Sequence, residues 1–135
     1  LMYRGRCVAE LVKDAVKKPW REFRECPYED LEKQGRVHID PLGWVHVCQG
    51  IAIGNAWQQP LHRIIGTYDP QTHPIVGPLL AGGPVRLAQK FGLSHEESYA
   101  DACHFCYNLR VALRNRFPDI LTPDQMYGVG MEGSD

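Results

Sequence analysis

Four of the five cysteines in this chain are placed where they could share one soft metal centre: Cys26, Cys48, and the close pair Cys103-His104-Phe105-Cys106. A C-x-x-C pair puts two sulfurs on one turn, and thiolates select zinc or iron–sulfur clusters over hard cations. If the pair opens a helix, the partial positive charge there favours thiolate over thiol. Both residues could equally be small buried apolar groups. A thioredoxin-like redox pair needs a βαβ frame around it, and no such pattern precedes Cys103. Zinc ribbons carry two close pairs; here Cys26 and Cys48 are separated by residues 27–47, a poor ribbon pattern. Iron–sulfur clusters accept more scattered thiolates.

The elements that must position these thiols follow from local pattern. Val8, Leu11, Val12, Ala15 and Val16 predict an amphipathic helix closed by Pro19. Pro27 disfavours helix at Cys26 and puts it in an extended or turn segment. Residues 29–33 suggest one short turn. Arg36 to Cys48 reads as a β-hairpin around Asp40-Pro41-Leu42-Gly43, with Trp44, His46 and Cys48 on one face and Val45 and Val47 on the other. Residues 49–55 read as a glycine-containing loop, and Pro60 opens a short helix ended by Gly66. The Pro- and Gly-rich stretch 68–83 reads as an ordered loop that buries Ile75, Val76, Leu79 and Leu80. Pro84 starts a helix reaching Phe91 and stopped by Gly92. Ser94-x-x-Glu97 has the form of a capping box for another short helix. The last helix begins near Cys103, carries Phe105, Leu109, Ala112 and Leu113 on one stripe, and ends by Pro118. The fold class expected is α+β: a small antiparallel hairpin packed with several short helices and long ordered loops.

At 135 residues the chain is expected to form one domain. Fifteen basic against sixteen acidic residues leave a net charge of −1, which argues against a general electrostatic pull toward nucleic acid or an anionic membrane. No apolar run approaches the ~20 residues that span a bilayer. The start shows no signal-peptide core, so a cytoplasmic location and reduced thiols are the expectation. An odd cysteine count also suits a disulfide framework poorly. The opening Leu1-Met2 suggests a piece of something longer.

Taken together, Cys26, the hairpin Gly43-Trp-Val-His-Val-Cys48, the loop Ile53-Gly54-Asn55, the turn Pro60-Leu61-x-x-Ile64 and the distal Cys103-x-x-Cys106 carry a family resemblance. From about Trp20 to Tyr127 the chain resembles the SPASM/twitch-type auxiliary iron–sulfur domain that follows the barrel of radical S-adenosylmethionine proteins. The resemblance implies that Cys26, Cys48, Cys103 and Cys106 bind one [4Fe–4S] cluster; the thiolates by themselves leave zinc as the alternative metal. It implies a role in electron relay or in shaping a substrate pocket. It implies as partners a radical S-adenosylmethionine barrel, in cis or in trans, and a redox protein. The divisions it suggests are 1–19 as an N-terminal helix left from a preceding barrel, 20–127 as the cluster domain and 128–135 as a flexible tail. No cysteine follows Cys106, which points to the one-cluster twitch version. The C-x-x-x-C-x-x-C motif of the radical-generating cluster is absent, so this chain alone is not expected to cleave S-adenosylmethionine. A structural zinc-binding module for protein interaction is the competing reading.

Other chemistry-bearing residues have blander expectations. Cys7 reads as a buried core thiol and is the rival of Cys26 for the fourth ligand position. His104 is expected to face solvent, and otherwise to bond a cluster sulfur or replace a thiolate. His38, Asp40 and His46 read as the wet face of a half-buried hairpin. Gln49 could donate a hydrogen bond near the cluster. Trp44 and Trp57 read as core or interface anchors. Arg110, Arg114 and Arg116 read as a solvated helix face, or as a docking face for the missing barrel. His62, His73 and His95 are scattered. There is no P-loop, dinucleotide fingerprint or G-x-S-x-G elbow.

Overall fold

A computed structural model describes residues 16–26, 31–32 and 37–128 of the chain. Residues 8–15 of the predicted helix, Cys7, most of the turn at 29–33 and the tail beyond Gly128 lie outside the described residues; Val16, expected on the apolar stripe, is exposed. The elements in chain order are β1 (Lys18–Pro19), β2 (His38–Ile39), β3 (Trp44–Cys48), β4 (Ile51–Asn55), α1 (Leu61–Thr67), α2 (Val76–Phe91), β5 (Ser98–Tyr99) and α3 (Ala102–Leu113). Short 3-10 turns occupy Trp20–Glu22 and Asp124–Tyr127. The architecture is a small α+β fold. One antiparallel sheet runs β2-β3-β4, and a second pairs β1 with β5.

The hairpin forms because its turn is chemically specified. Asp40 Oδ1 accepts from the backbone N–H of Leu42 at 2.8 Å and of Trp44 at 3.2 Å, an Asx arrangement. Gly43 then takes the left-handed region, with φ 90°. Cys48 is delivered to the end of β3, beside Ile51 of β4.

The stretch expected to be a loop after Cys48 is instead strand β4. Gln49 and Gly50 make a two-residue reversal, with Gly50 at φ 88°, and the β-branched Ile51 and Ile53 continue the sheet. Gly54 had suggested a loop, but its role is packing. A Cβ there would lie 2.9 Å from Ile64 Cγ2, so the glycine lets α1 seat Ile64 against the sheet. Burying that isoleucine contributes about 2 kcal/mol.

The predicted 68–83 loop also becomes helix from Val76 onward. Pro78 falls in the first turn, where a missing N–H costs little. The start is held by His73, whose Nδ1 accepts from the N–H of Ile75 at 3.2 Å and of Val76 at 3.1 Å. Its Nε2 proton then faces the Ala52 carbonyl at 3.4 Å. Ile75, Val76 and Leu79 are buried as expected, whereas Leu80 is exposed. At Gly82 and Gly83 the backbone leaves helical geometry, and Pro84 opens the second half of α2. Gly92 ends it with φ 60°.

His73 is neutral in the fold because burial lowers its pKa below 6.5. Below that value the unfolded chain binds more protons than the folded one, so its contribution is complete above about pH 6.5 and declines as the pH falls below it. We expect His73→Ala to cost about 1 kcal/mol as a lost cap. His73→Asn keeps an acceptor and should flatten the acid limb of stability. Urea midpoints between pH 5 and 7.5 measure both.

No helix forms after Ser94. Trp20 N–H bonds the Glu97 carbonyl at 3.0 Å, and Glu96 N–H bonds the Tyr99 hydroxyl at 2.6 Å. These contacts draw the segment out into β5, and Tyr99 stacks on Phe105 at 4.4 Å. Tertiary pairing thus outweighs the local capping signal. On α3, Phe105, Leu109 and Leu113 are buried, but Ala112 is exposed and falls outside the stripe. After Leu113 the chain turns back, and the Ile120 carbonyl accepts from Ala52 N–H at 2.7 Å. Among the described residues no helix is long and apolar enough to cross a membrane.

Candidate metal centre

Three separate parts of the fold converge on one cavity. Asp101 caps α3, its carboxylate accepting from His104 N–H at 2.8 Å, and so fixes where the first turn begins. Cys103 and Cys106 then occupy that turn on one face, three residues apart. Cys48 arrives from the end of β3, and Cys26 from the chain that follows the Trp20–Glu22 turn. All four are thiols, three buried and Cys26 half-buried. They line the same small cavity, about 20 Å³ in volume. Leu31, Ile51, Leu79, Pro84 and Ala102 complete an apolar wall, and Arg110 adds the charge.

The Cys26 segment is held by close backbone approach. The Phe23 carbonyl accepts from Val85 N–H at 3.2 Å, just after the break in α2. Gly83, at φ 63°, makes this possible: a Cβ there would lie 2.5 Å from the Arg24 carbonyl carbon and 2.8 Å from Glu25 Cα.

Burial pushes the Cys106 thiol up to about 11, while the nearby Arg110 guanidinium works in the opposite direction. The other two thiol influences on Cys106 come from Cys48 and Cys26, which places these sulfurs within electrostatic reach of one another. Among the described residues no three His, Cys, Asp or Glu side chains are drawn together as they would be around a single metal ion.

Arg110 corrects the reading of a solvated basic face. It is 1% exposed, and its Nη1 donates to the Gln49 carbonyl at 2.7 Å and to the Tyr127 hydroxyl at 3.0 Å. The Tyr127 hydroxyl in turn donates to the Gly50 carbonyl at 2.7 Å. The signal was present in the sequence: Arg110 lies seven residues after Cys103 and four after Cys106, on the same helical face. Arg114 lies over the Tyr127 ring and pairs with Asp124, and Arg116 lies over Phe91 and Phe117. Gln49 contributes its backbone carbonyl while its side chain is exposed.

Two histidines also depart from expectation. His104 is buried, not solvent-facing, and its Nδ1 accepts from Ala100 N–H at 3.0 Å, so that nitrogen is taken. Burial lowers its pKa. His46 is fully buried rather than on a wet face, and its Nε2 bonds Asp40 Oδ2 at 2.7 Å. Asp40 thereby ties the hairpin turn to the strand that ends in Cys48. His38, by contrast, is exposed. Trp44 is half-buried, and Trp57 is 72% exposed and so no core anchor.

Compared with models of known protein families, with curated proteins and with solved structures, the chain finds no match in any of the three.

Proposed function

We propose that Cys26, Cys48, Cys103 and Cys106 hold one [4Fe–4S] cluster, and that the chain serves as the auxiliary domain of a radical S-adenosylmethionine protein. The observation that carries this reading is that four thiols from distant segments line one apolar cavity. Two features of the site suit the group. Four cysteines are a full thiolate set for one [4Fe–4S] cluster, and they reach the cavity from segments that are far apart in the chain. A buried guanidinium lies at the cavity with no carboxylate pair among the described residues, so an anionic thiolate centre supplies the missing counter-charge.

When bound, such a group passes single electrons. The protein's part is to exclude water and fix the sulfurs. Leu31, Ile51, Leu79 and Pro84 keep the cavity dry. Cys26 is the half-buried member and marks the side nearest solvent, where electrons would enter or leave. Four cysteine ligands leave no open iron, which favours relay or pocket shaping over direct substrate ligation. The barrel, in cis or in trans, would supply the radical chemistry.

Anaerobic reconstitution with iron and sulfide, followed by iron, sulfide and zinc analysis, tests this. We expect about four irons and four sulfides per chain and a brown protein. A colourless protein with one zinc would replace the reading with that of a structural zinc module. A folded protein that takes up neither metal would remove both.

A further inference from the structure

We propose that Arg110 is the positioning residue that neutralises the four-cysteine centre and sets its reduction potential; this rests on the iron–sulfur reading above. Arg110 is among the largest fully buried side chains of the protein. Its oxygen partners, the Gln49 carbonyl and the Tyr127 hydroxyl, are neutral, and it also reaches the Cys106 thiol. Its Nε is buried without a partner. Among the described residues the ion pairs are His46 with Asp40 and Arg114 with Asp124, and neither involves Arg110.

A buried guanidinium with only neutral partners is costly, and it is always charged. The groups beside it that can carry negative charge are the Tyr127 phenol and the sulfurs of Cys106 and Cys48, and burial pushes the phenol up to about 12, which leaves the sulfurs as the counter-charge. The fold builds this contact at some expense. A Cβ at Gly50 would lie 2.7 Å from the Tyr127 hydroxyl oxygen and 3.0 Å from Arg110 Nη1, so the β3–β4 turn is left bare to let the network close. The network pins the guanidinium from the hairpin side, while α3 carries it directly below its two cysteines.

One-electron reduction adds a single negative charge to a centre that four thiolates already make anionic. A fixed positive charge in a dry cavity favours the reduced form. The electron comes from an external one-electron donor, dithionite in the test, and no bond or proton changes hands.

The test is anaerobic reconstitution of the full chain and of Arg110→Lys, Arg110→Gln and Arg110→Met, with iron per chain and an EPR-monitored dithionite titration as readouts. In loaded Gln and Met variants we expect the reduction equilibrium to fall at least tenfold, which is 59 mV for a one-electron couple. Arg110→Lys should stay within about threefold of wild type, because it keeps the charge. If the neutral variants fail to load while the Lys variant loads, the charge requirement is met at the assembly step. Unchanged potentials in loaded neutral variants would overturn the inference, and so would equal loss of iron in all three, which would mean a packing role. A wild-type chain that takes up no iron would instead defeat the iron–sulfur reading, and the inference with it.

Discussion

Loading with iron and sulfide should raise the melting temperature of this protein by at least about 10 °C, and Cys48→Ala should abolish both the loading and the gain. The sulfurs come from β3, from α3 and from the chain after the Trp20–Glu22 turn, so a bound centre would staple three segments that are far apart in the chain. Anything that binds only the folded chain stabilises it by mass action, about 4 kcal/mol at a thousandfold excess over Kd. For a domain of this size that is about 10–15 °C. Without metal, Cys48→Ala should cost less, about 1–2 kcal/mol, since it leaves a small void in an apolar wall. The contrast separates a ligand from a core residue. Melting scans of wild type and Cys48→Ala, with and without reconstitution, measure it. Melting temperatures that reconstitution leaves unchanged, with Cys48→Ala lower than wild type by the same small amount in both conditions, would assign the cysteine to the core alone.

Gly83→Ala should be among the most damaging single substitutions away from the cysteines. Gly83 combines φ 63° with ψ −158°, a conformation nearly restricted to glycine. The added methyl would also press on the backbone of Arg24 and Glu25, which has no flexible end to move aside. Backbone strain and overpacking together suggest a loss of about 3–5 kcal/mol. Relief requires the Phe23-to-Cys26 segment to lift off α2, so iron retention should fall along with stability. Gly92→Ala is the control. Gly92 also has positive φ, at 60°, but a Cβ there meets nothing within 4 Å. Its cost should stay near 1–2 kcal/mol, with loading unchanged. Urea midpoints and iron content of the two variants decide the matter. Equal effects would show that dihedral strain alone matters and that the close approach does not.

The contrast between these glycines shows how far sequence reading reaches. Gly92 was legible as a helix stop, because a stop signal is local. Gly83 read only as part of an ordered Pro- and Gly-rich loop, because what it touches lies some sixty residues earlier in the chain. The same limit explains the misread segments. Gly50 and Gly54 suggested a loop where β4 runs, since nothing local reveals that one glycine turns the chain and the other admits Ile64. The Ser94 capping box was overruled by pairing with Lys18–Pro19. Pro78 looked like a helix breaker but sits in a first turn, where no N–H is missed.

The sequence by itself determined the local parts of this protein: four spaced thiols, a C-x-x-C pair on one helical face, an Asp-Pro-Leu-Gly hairpin turn, and helix limits at Pro60, Pro84 and Gly92. These follow from backbone sterics and side-chain periodicity over a few residues. The tertiary structure decided that the thiols line one cavity, that His46 and His104 lie inside, and that Arg110 is a buried charge rather than a solvated one. Burial and charge pairing are sums over segments far apart in the chain. An arginine on an amphipathic helix looks the same in sequence whether water or four sulfurs lie in front of it.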